Sequence, residues 1–160
     1  MKFCSHEYMQ ELMKRVNSDR LFVDLRKTDR NATYSLHIER EPENGVEESF
    51  TVGFSIIGGK MDEVWTGHDK TTEFTDLVIS GKYGVWIDII RDRLSLTDAL
   101  LSRKLALRGE TSEIYGATVW MSPGPLFGVG VTPATERIIE IARHIPTEFH
   151  GKFAMSKTQA

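Results

Sequence analysis

A chain of 160 residues with 40% apolar and 27% charged side chains has the makeup of one ordinary globular domain, large enough to bury its own core. A formal net charge of −3 offers no basic excess for nucleic acid. The single cysteine, Cys4, excludes an internal disulfide and fits a reducing, cytoplasmic setting, and no apolar run approaches the roughly 20 residues that span a bilayer.

The start, "MKFCSHEYMQELMKR", breaks its apolar residues with His6, Glu7 and Gln10, unlike a secretory signal. Tyr8, Met9, Leu12, Met13 and Val16 recur at helical spacing behind Ser5, a good N-cap, so a first amphipathic helix is expected. "DRLFVDLRK" then reads as a short strand or strand-like piece. "ATYSLHIERE" alternates Tyr34, Leu36 and Ile38 against Ser35, His37 and Glu39, the period of a half-buried strand. Asn44-Gly45 is a strong hairpin signal. Phe50, Val52, Phe54 and Ile56 alternate in the next strand, which Gly58-Gly59 ends. "KMDEVWTGHDK" and "TTEFTDLVISGK" read as two more strands, giving an antiparallel meander of three or four.

The period then changes. In "YGVWIDIIRDRL", Val85, Trp86, Ile89, Ile90 and Leu94 form an apolar stripe, and Asp88, Arg91, Asp92 and Arg93 take the solvent side. Ser95 or Thr97 caps a second short helix with Leu96, Ala99 and Leu100 inward. "KLALRG" alternates as a strand closed by Gly109. "ETSEIYGATVWM" suits a helix weakened by Gly116, and "SPGPLFGVGVTP" a Gly/Pro loop. Ile138, Ile141, Ala142 and Ile145 make a last amphipathic helix between Pro133 and Pro146. There is no internal repeat.

The stretch "TTEFTDLVISGKYGVWIDIIRDRLSLTDALLSRKLALRGE" resembles the sterol carrier protein (lipid-transfer) family. The likeness lies in a strand, a helix, a second short helix ending at Lys104, and the Leu-x-Leu-x-Gly strand "KLALRG". It covers residues 50–121 well and 7–49 by the order of elements. The chain departs from the family in opening its first helix of the pair with "SGKYGVWID" rather than an acidic pair, and in everything after residue 122. The resemblance implies an α+β domain over 1–160: a five-stranded, mostly antiparallel sheet, helices on one face, and an apolar tunnel between them. Residues 122–160 form a C-terminal extension carrying an extra helix.

Through the resemblance, the tunnel takes a lipid or fatty-acyl-type ligand. Its walls are then Val85, Trp86, Ile89 and Ile90 of one helix, Leu100 of the next, and Phe54, Trp65, Phe74 and Leu77 of the sheet. Trp120, Met121 and Phe127 flank the Gly/Pro loop as a lid or a plain connection. Each of these residues has a competing reading as core filling, because amphipathic helices bury their stripe for stability alone. No catalytic constellation competes with binding. The five histidines lie on separate elements without metal-ligand spacing. "GPLFGVG" lacks the Gly-Lys-Ser/Thr of a phosphate cradle, and Cys4 beside His6 has no formed pocket implied around it. The expectation is a non-enzymatic carrier without cofactor, cytoplasmic, with transient membrane contact and no set oligomeric state. The alternatives are a structural or interaction module with a filled core, or an accessory domain of an enzyme acting on an apolar substrate. A pocket of a few hundred Å³ separates a ligand site from a filled core.

Overall fold

The computed structural model describes residues 1–25, 31–67, 77–109 and 133–156. The first helix, α1 (His6–Asn17), begins where Ser5 Oγ accepts the Tyr8 N–H at 3.2 Å. It buries Tyr8, Met9, Leu12 and Val16, the stripe its spacing predicts. The next segment corrects the strand expected there. Arg20–Leu25 is a helix, α2. Asp19 Oδ2 accepts the Phe22 N–H at 2.8 Å, which supplies an N-cap. Phe22 alone is buried among its six residues, so the segment carries no apolar stripe from which a helical period could be read.

The five strands are β1 (Ala32–Glu39), β2 (Phe50–Ile57), β3 (Lys60–Thr66), β4 (Leu77–Lys82) and β5 (Leu105–Gly109), in the spatial order β3-β2-β1-β4-β5. β1, β2 and β3 form the antiparallel meander. β4 does not extend it but returns to the far side of β1 and pairs with it in parallel, Leu36 opposite Ile79. β4 suits this central place because Leu77, Val78 and Ile79 are all buried, so both of its faces are covered. The expected tight Asn-Gly hairpin is also wider. Pro42–Asn44 form one 3₁₀ turn, Gly45 adopts φ +86°, and Glu41 bridges to Val46.

Helix α3 (Tyr83–Ile90) follows β4 without a loop. Lys82 gives it no side-chain cap. Instead Glu41, from the β1–β2 connection, accepts the Gly84 N–H at 2.7 Å. A buried carboxylate thus meets the positive end of the helix from 43 residues away. It supplies the acidic group that the opening residues of the helix, Lys82 to Trp86, lack.

Helix α4 (Leu96–Leu101) is capped by Ser95, whose Oγ accepts the Asp98 N–H at 2.9 Å. Its end explains the abrupt step into β5. The Lys104 N–H reaches the Ala99 carbonyl (2.9 Å) and the Arg103 N–H the Leu100 carbonyl (3.1 Å). Arg103 is left-handed at φ +65°. This is a Schellman closure, and it reverses the chain within three residues. α3 ends in the same way, with the Arg93 N–H on the Asp88 carbonyl (2.8 Å), the Asp92 N–H on the Ile89 carbonyl (3.2 Å) and Asp92 at φ +61°.

The last long helix, α5 (Pro133–Ala142), is tied to three others. Arg137 forks onto Asp19 at 2.9 and 3.0 Å, Glu136 accepts from Thr97 Oγ1 at 2.8 Å, and Arg143 Nε donates to the Ile89 carbonyl at 3.0 Å. A short helix, α6 (Phe153–Ser156), ends the described chain. α5 buries Ala134, Ile138, Ile141 and Ala142 in the same core cluster as α1, α3 and α4. Residues 133–153 are therefore packed into the domain through these side chains and through Ile145, Phe149 and Phe153.

Candidate functional site

β1 presents Tyr34, Leu36 and Ile38 to one side of the sheet, and its register sets Phe54, Val52 and Phe50 of β2 beside them. Tyr34 and Phe54 stack with ring centroids 4.9 Å apart. An apolar cavity of about 60 Å³ lies between this face and the helices. Tyr34, Leu36, Ile38, Phe54 and Ile79 form its sheet wall. Tyr8, Met9 and Leu12 of α1, with Phe3 and Cys4 before it, form one helical wall. Trp86 and Ile90 of α3, Leu96 of α4, and Thr135, Ile138, Ile139 and Ala142 of α5 complete it.

The expected site residues divide accordingly. Phe54, Trp86 and Ile90 line the cavity. Leu77, Ile89 and Leu100 are buried in the surrounding core but are not among the lining residues. Val85 is half-buried against the same core. Phe74, Trp120, Met121 and Phe127 lie outside the described residues.

Trp65 is on the wrong side of the sheet for this site, and the reason is a bulge. Strict alternation from Met61 puts Glu63 and Trp65 on Met61's face. The β2–β3 register shifts between Ser55 and Ile56, so that Met61 pairs with Ile56 and Glu63 with Ser55. Asp62 is the extra residue, and it inverts the parity of all that follows. Val64 opposite Phe54 therefore takes the cavity face, and Trp65 opposite Gly53 takes the reverse. Its indole lies flat across Gly53, where any Cβ would sit 2.3 Å from the ring.

Reading the sequence identified the stripes of α1 and α5 but left them out of the site. Their periodicity says which face is inward. It does not say that α1, far in sequence, meets α3 and α5 over the β1–β2 surface.

The cavity is nearly free of polar chemistry. Burial pushes the Cys4 thiol above its ordinary pKa, which keeps it protonated and a poor nucleophile. The Tyr8 hydroxyl is driven up chiefly by burial too, with the Cys4 sulfur adding to it. The Trp86 Nε1–H is buried and has no hydrogen-bond partner among the described residues. Ser95 and Ser102 are occupied by helix ends, the one as a cap and the other donating to the Ala99 carbonyl at 3.3 Å. Among the described residues no three His, Cys, Asp or Glu side chains gather to hold a metal ion. Within the same residues no helix is long and apolar enough to cross a membrane.

Ile90 lines a second space as well. On its far side an open polar cleft of about 710 Å³ runs between the end of α3 and the outer face of α5. Arg91, Asp92 and Arg93 border it on one side, Arg137, Glu140, Arg143 and His144 on the other, with Thr147 and Phe149 beyond.

No family model matches the chain, and no curated protein matches it by sequence. Solved structures match its fold. A crystal structure of sterol carrier protein 2 superposes with a TM-score of 0.68 at 15% identity, over 91% of this chain and 100% of its own. A conserved hypothetical protein of Thermus thermophilus, suggested to be a sterol carrier protein, gives 0.66 at 15% identity, over 92% of each chain. The UbiJ-SCP2 ubiquinone synthesis protein gives 0.50 at 9% identity, over 91% of this chain and 98% of that one. The chain has the sterol-carrier-protein fold, an α+β arrangement of five strands under helices.

Proposed function

We propose that this protein is a non-enzymatic binder and carrier of a lipid or other apolar small molecule, held between the sheet and the helices. The observation that carries the reading is the cavity, whose walls come from seven separate elements yet are apolar apart from Thr135, the Cys4 thiol and the polar tips of Tyr8, Tyr34 and Trp86. An apolar chain gains about 0.8 kcal/mol for each CH₂ it buries there, so a dozen carbons gain roughly 10 kcal/mol before the costs of ordering. The likeness to sterol carrier protein 2 supports the same use of the same space. The ligand opens that space by displacing side chains. About 60 Å³ is well short of the roughly 300 Å³ where small-molecule pockets begin. Leu36, Ile90 and Ile139 line it and are only half-buried, so they are the side chains with room to swing. The widened slot is the tunnel, and the carrier works in the cytoplasm with brief membrane contact during loading.

The same small volume favours a second reading, a module whose core is filled by its own side chains and whose role is assembly, including service as an accessory domain beside an enzyme with an apolar substrate. Native mass spectrometry followed by solvent extraction decides between the two. A lipid at near one per chain, or saturable uptake of a fluorescent fatty acid or sterol, supports the carrier. Bare protein that takes up neither probe leaves the filled module.

A further inference from the structure

Resting on the carrier reading, we infer that the arginine-bordered cleft is a headgroup subsite: the ligand is an amphiphile whose tail lies in the apolar cavity and whose carboxylate or phosphate lies among Arg91, Arg93 and Arg143, with Ile90 between them as a gate. Cavity and cleft share Ile90 as a common wall. It is the last residue of α3, half-buried, and rotation of its side chain joins the two spaces. A tail on one side of that wall and a charge on the other is the geometry of an anionic amphiphile.

The described lining of the cleft carries four arginines and a histidine against two carboxylates, Asp92 and Glu140. Glu140 is held by Arg137 at 2.9 Å, as is Asp19 behind it, so Arg137 is spoken for. Two of the other cations, Arg93 and Arg143, pair with exposed carboxylates. Arg93 meets Asp88 only at 3.9 Å, and the two side chains are 62% and 45% exposed. Arg143 Nη1 meets Asp92 at 3.3 Å, and that carboxylate is 78% exposed. Exposed pairs of this kind hold weakly against water. An anion that two guanidiniums grip together holds better. Arg91 is fixed facing the cleft by its Nη2 bond to the Phe153 carbonyl (3.0 Å) and by the Phe149 ring, 4.8 Å from its guanidinium. Burial first, and then the like charge of Arg93, lower its pKa. An anion placed between those two arginines relieves the repulsion. On the tail side, Trp86 Nε1–H and the Tyr8 hydroxyl line the cavity with no hydrogen-bond partner among the described residues, and either can meet an ester, carbonyl or hydroxyl oxygen near the neck.

The test compares cis-parinaric acid with its uncharged methyl ester at neutral pH, using the full chain. The acid should bind about tenfold or more tightly than the ester, the scale of one charge-assisted contact. Arg93→Gln, at an exposed position, and Arg91→Gln should each shrink that ratio while the ester's affinity stays, and Arg91→Lys should keep more of it. Competition by dodecyl phosphate and by dodecanoate then shows which head the cleft prefers, and displacement by either supports the subsite. Equal binding of acid and ester, or a ratio unmoved in both glutamine variants, overturns the inference and leaves the carrier standing. Binding of neither probe overturns the carrier reading and the subsite with it.

Discussion

Filling the cavity should make the protein more stable and a worse carrier. Ala142, at the end of α5, lines the cavity and is 3% exposed. Ala142→Val adds two methyl groups, about the volume of two waters at roughly 30 Å³ each, against a cavity of about 60 Å³. Removing a void of that size is worth roughly 1.4 kcal/mol at about 24 cal/mol per Å³. The β-branched side chain returns up to about 0.5 kcal/mol of helix propensity, less at a terminal position. The net is a gain near 1 kcal/mol, or about 2–4 °C in Tm for a chain of this size. Urea titration should show a later midpoint with an unchanged slope. The same two groups take the room of about two methylenes of ligand, so a bound apolar chain loses roughly 1.6 kcal/mol, a little over tenfold in Kd. Both are measured on one sample, by urea titration and by fluorescent fatty-acid displacement. A destabilised variant means that the cavity is not a void at Ala142. A stabilised variant with unchanged ligand affinity refutes the argument that the ligand occupies this space.

Three further outcomes follow from the fold. Arg103→Gly should raise stability by about 0.5–1 kcal/mol, because a left-handed non-glycine residue costs about 1–2 kcal/mol and glycine returns part of that as chain entropy; a thermal melt checks it, and a lower Tm counts against the strain. Arg137 holds Asp19 below its usual pKa, foremost through their hydrogen bonds, so the folded carboxyl releases its proton more readily than the unfolded one. That stability is fully present above the unfolded value of 3.8 and drains away as pH falls through the lower folded value. Asp19→Asn should therefore flatten the acid limb of the stability–pH curve, while its amide oxygen still caps α2. Cys4 should resist a thiol reagent such as Ellman's until urea unfolds the chain, since burial holds it protonated; fast labelling of native protein contradicts its place in the cavity wall.

Helices with clear apolar stripes were legible from the chain alone. α1 with Ser5 and α4 with Ser95 form where their spacing places them, whereas α3 and α5 form but stop at Ile90 and Ala142, short of Leu94 and Ile145 at the ends of their expected stripes. α2 was not, because a six-residue helix with one buried side chain looks the same as a short strand. The parallel return of β4 was visible only as three consecutive buried residues, which say that a strand is central without saying beside which neighbour. Trp65 failed for a local reason, since one bulged residue inverts a face that alternation otherwise reads correctly. Glu41 at the start of α3 had no signal in its own neighbourhood, because the partnership is one of tertiary distance. The site suffers most from this kind of loss. Its α3 and β2 walls could be read, while α1 and α5 were seen as inward faces with no indication of what lay inside.

The two left-handed helix ends differ in what they accomplish. Both close a helix by the same pair of backbone hydrogen bonds, and both place a residue other than glycine where glycine fits best. At Arg103 the side chain is exposed and makes no hydrogen bond or ion pair among the described residues that explains its choice. Glycine there should only help. At Asp92 the closure does more. It stops α3 at Ile90, leaves Arg91 bordering the cleft, and sets the Asp92 carboxylate 3.3 Å from Arg143, just past the end of α5. Aspartate tolerates this conformation better than arginine does. The strained residue thus fixes three things at once: the last helical side chain on the cavity wall, the first arginine beyond it, and a weak, exposed tie across the cleft between the ends of α3 and α5. A tie built to hold would be buried and bidentate, as Arg137–Asp19 is on the other side of α5. One at 3.3 Å to an exposed carboxylate is the kind that, on the proposed headgroup subsite, an incoming anion would replace.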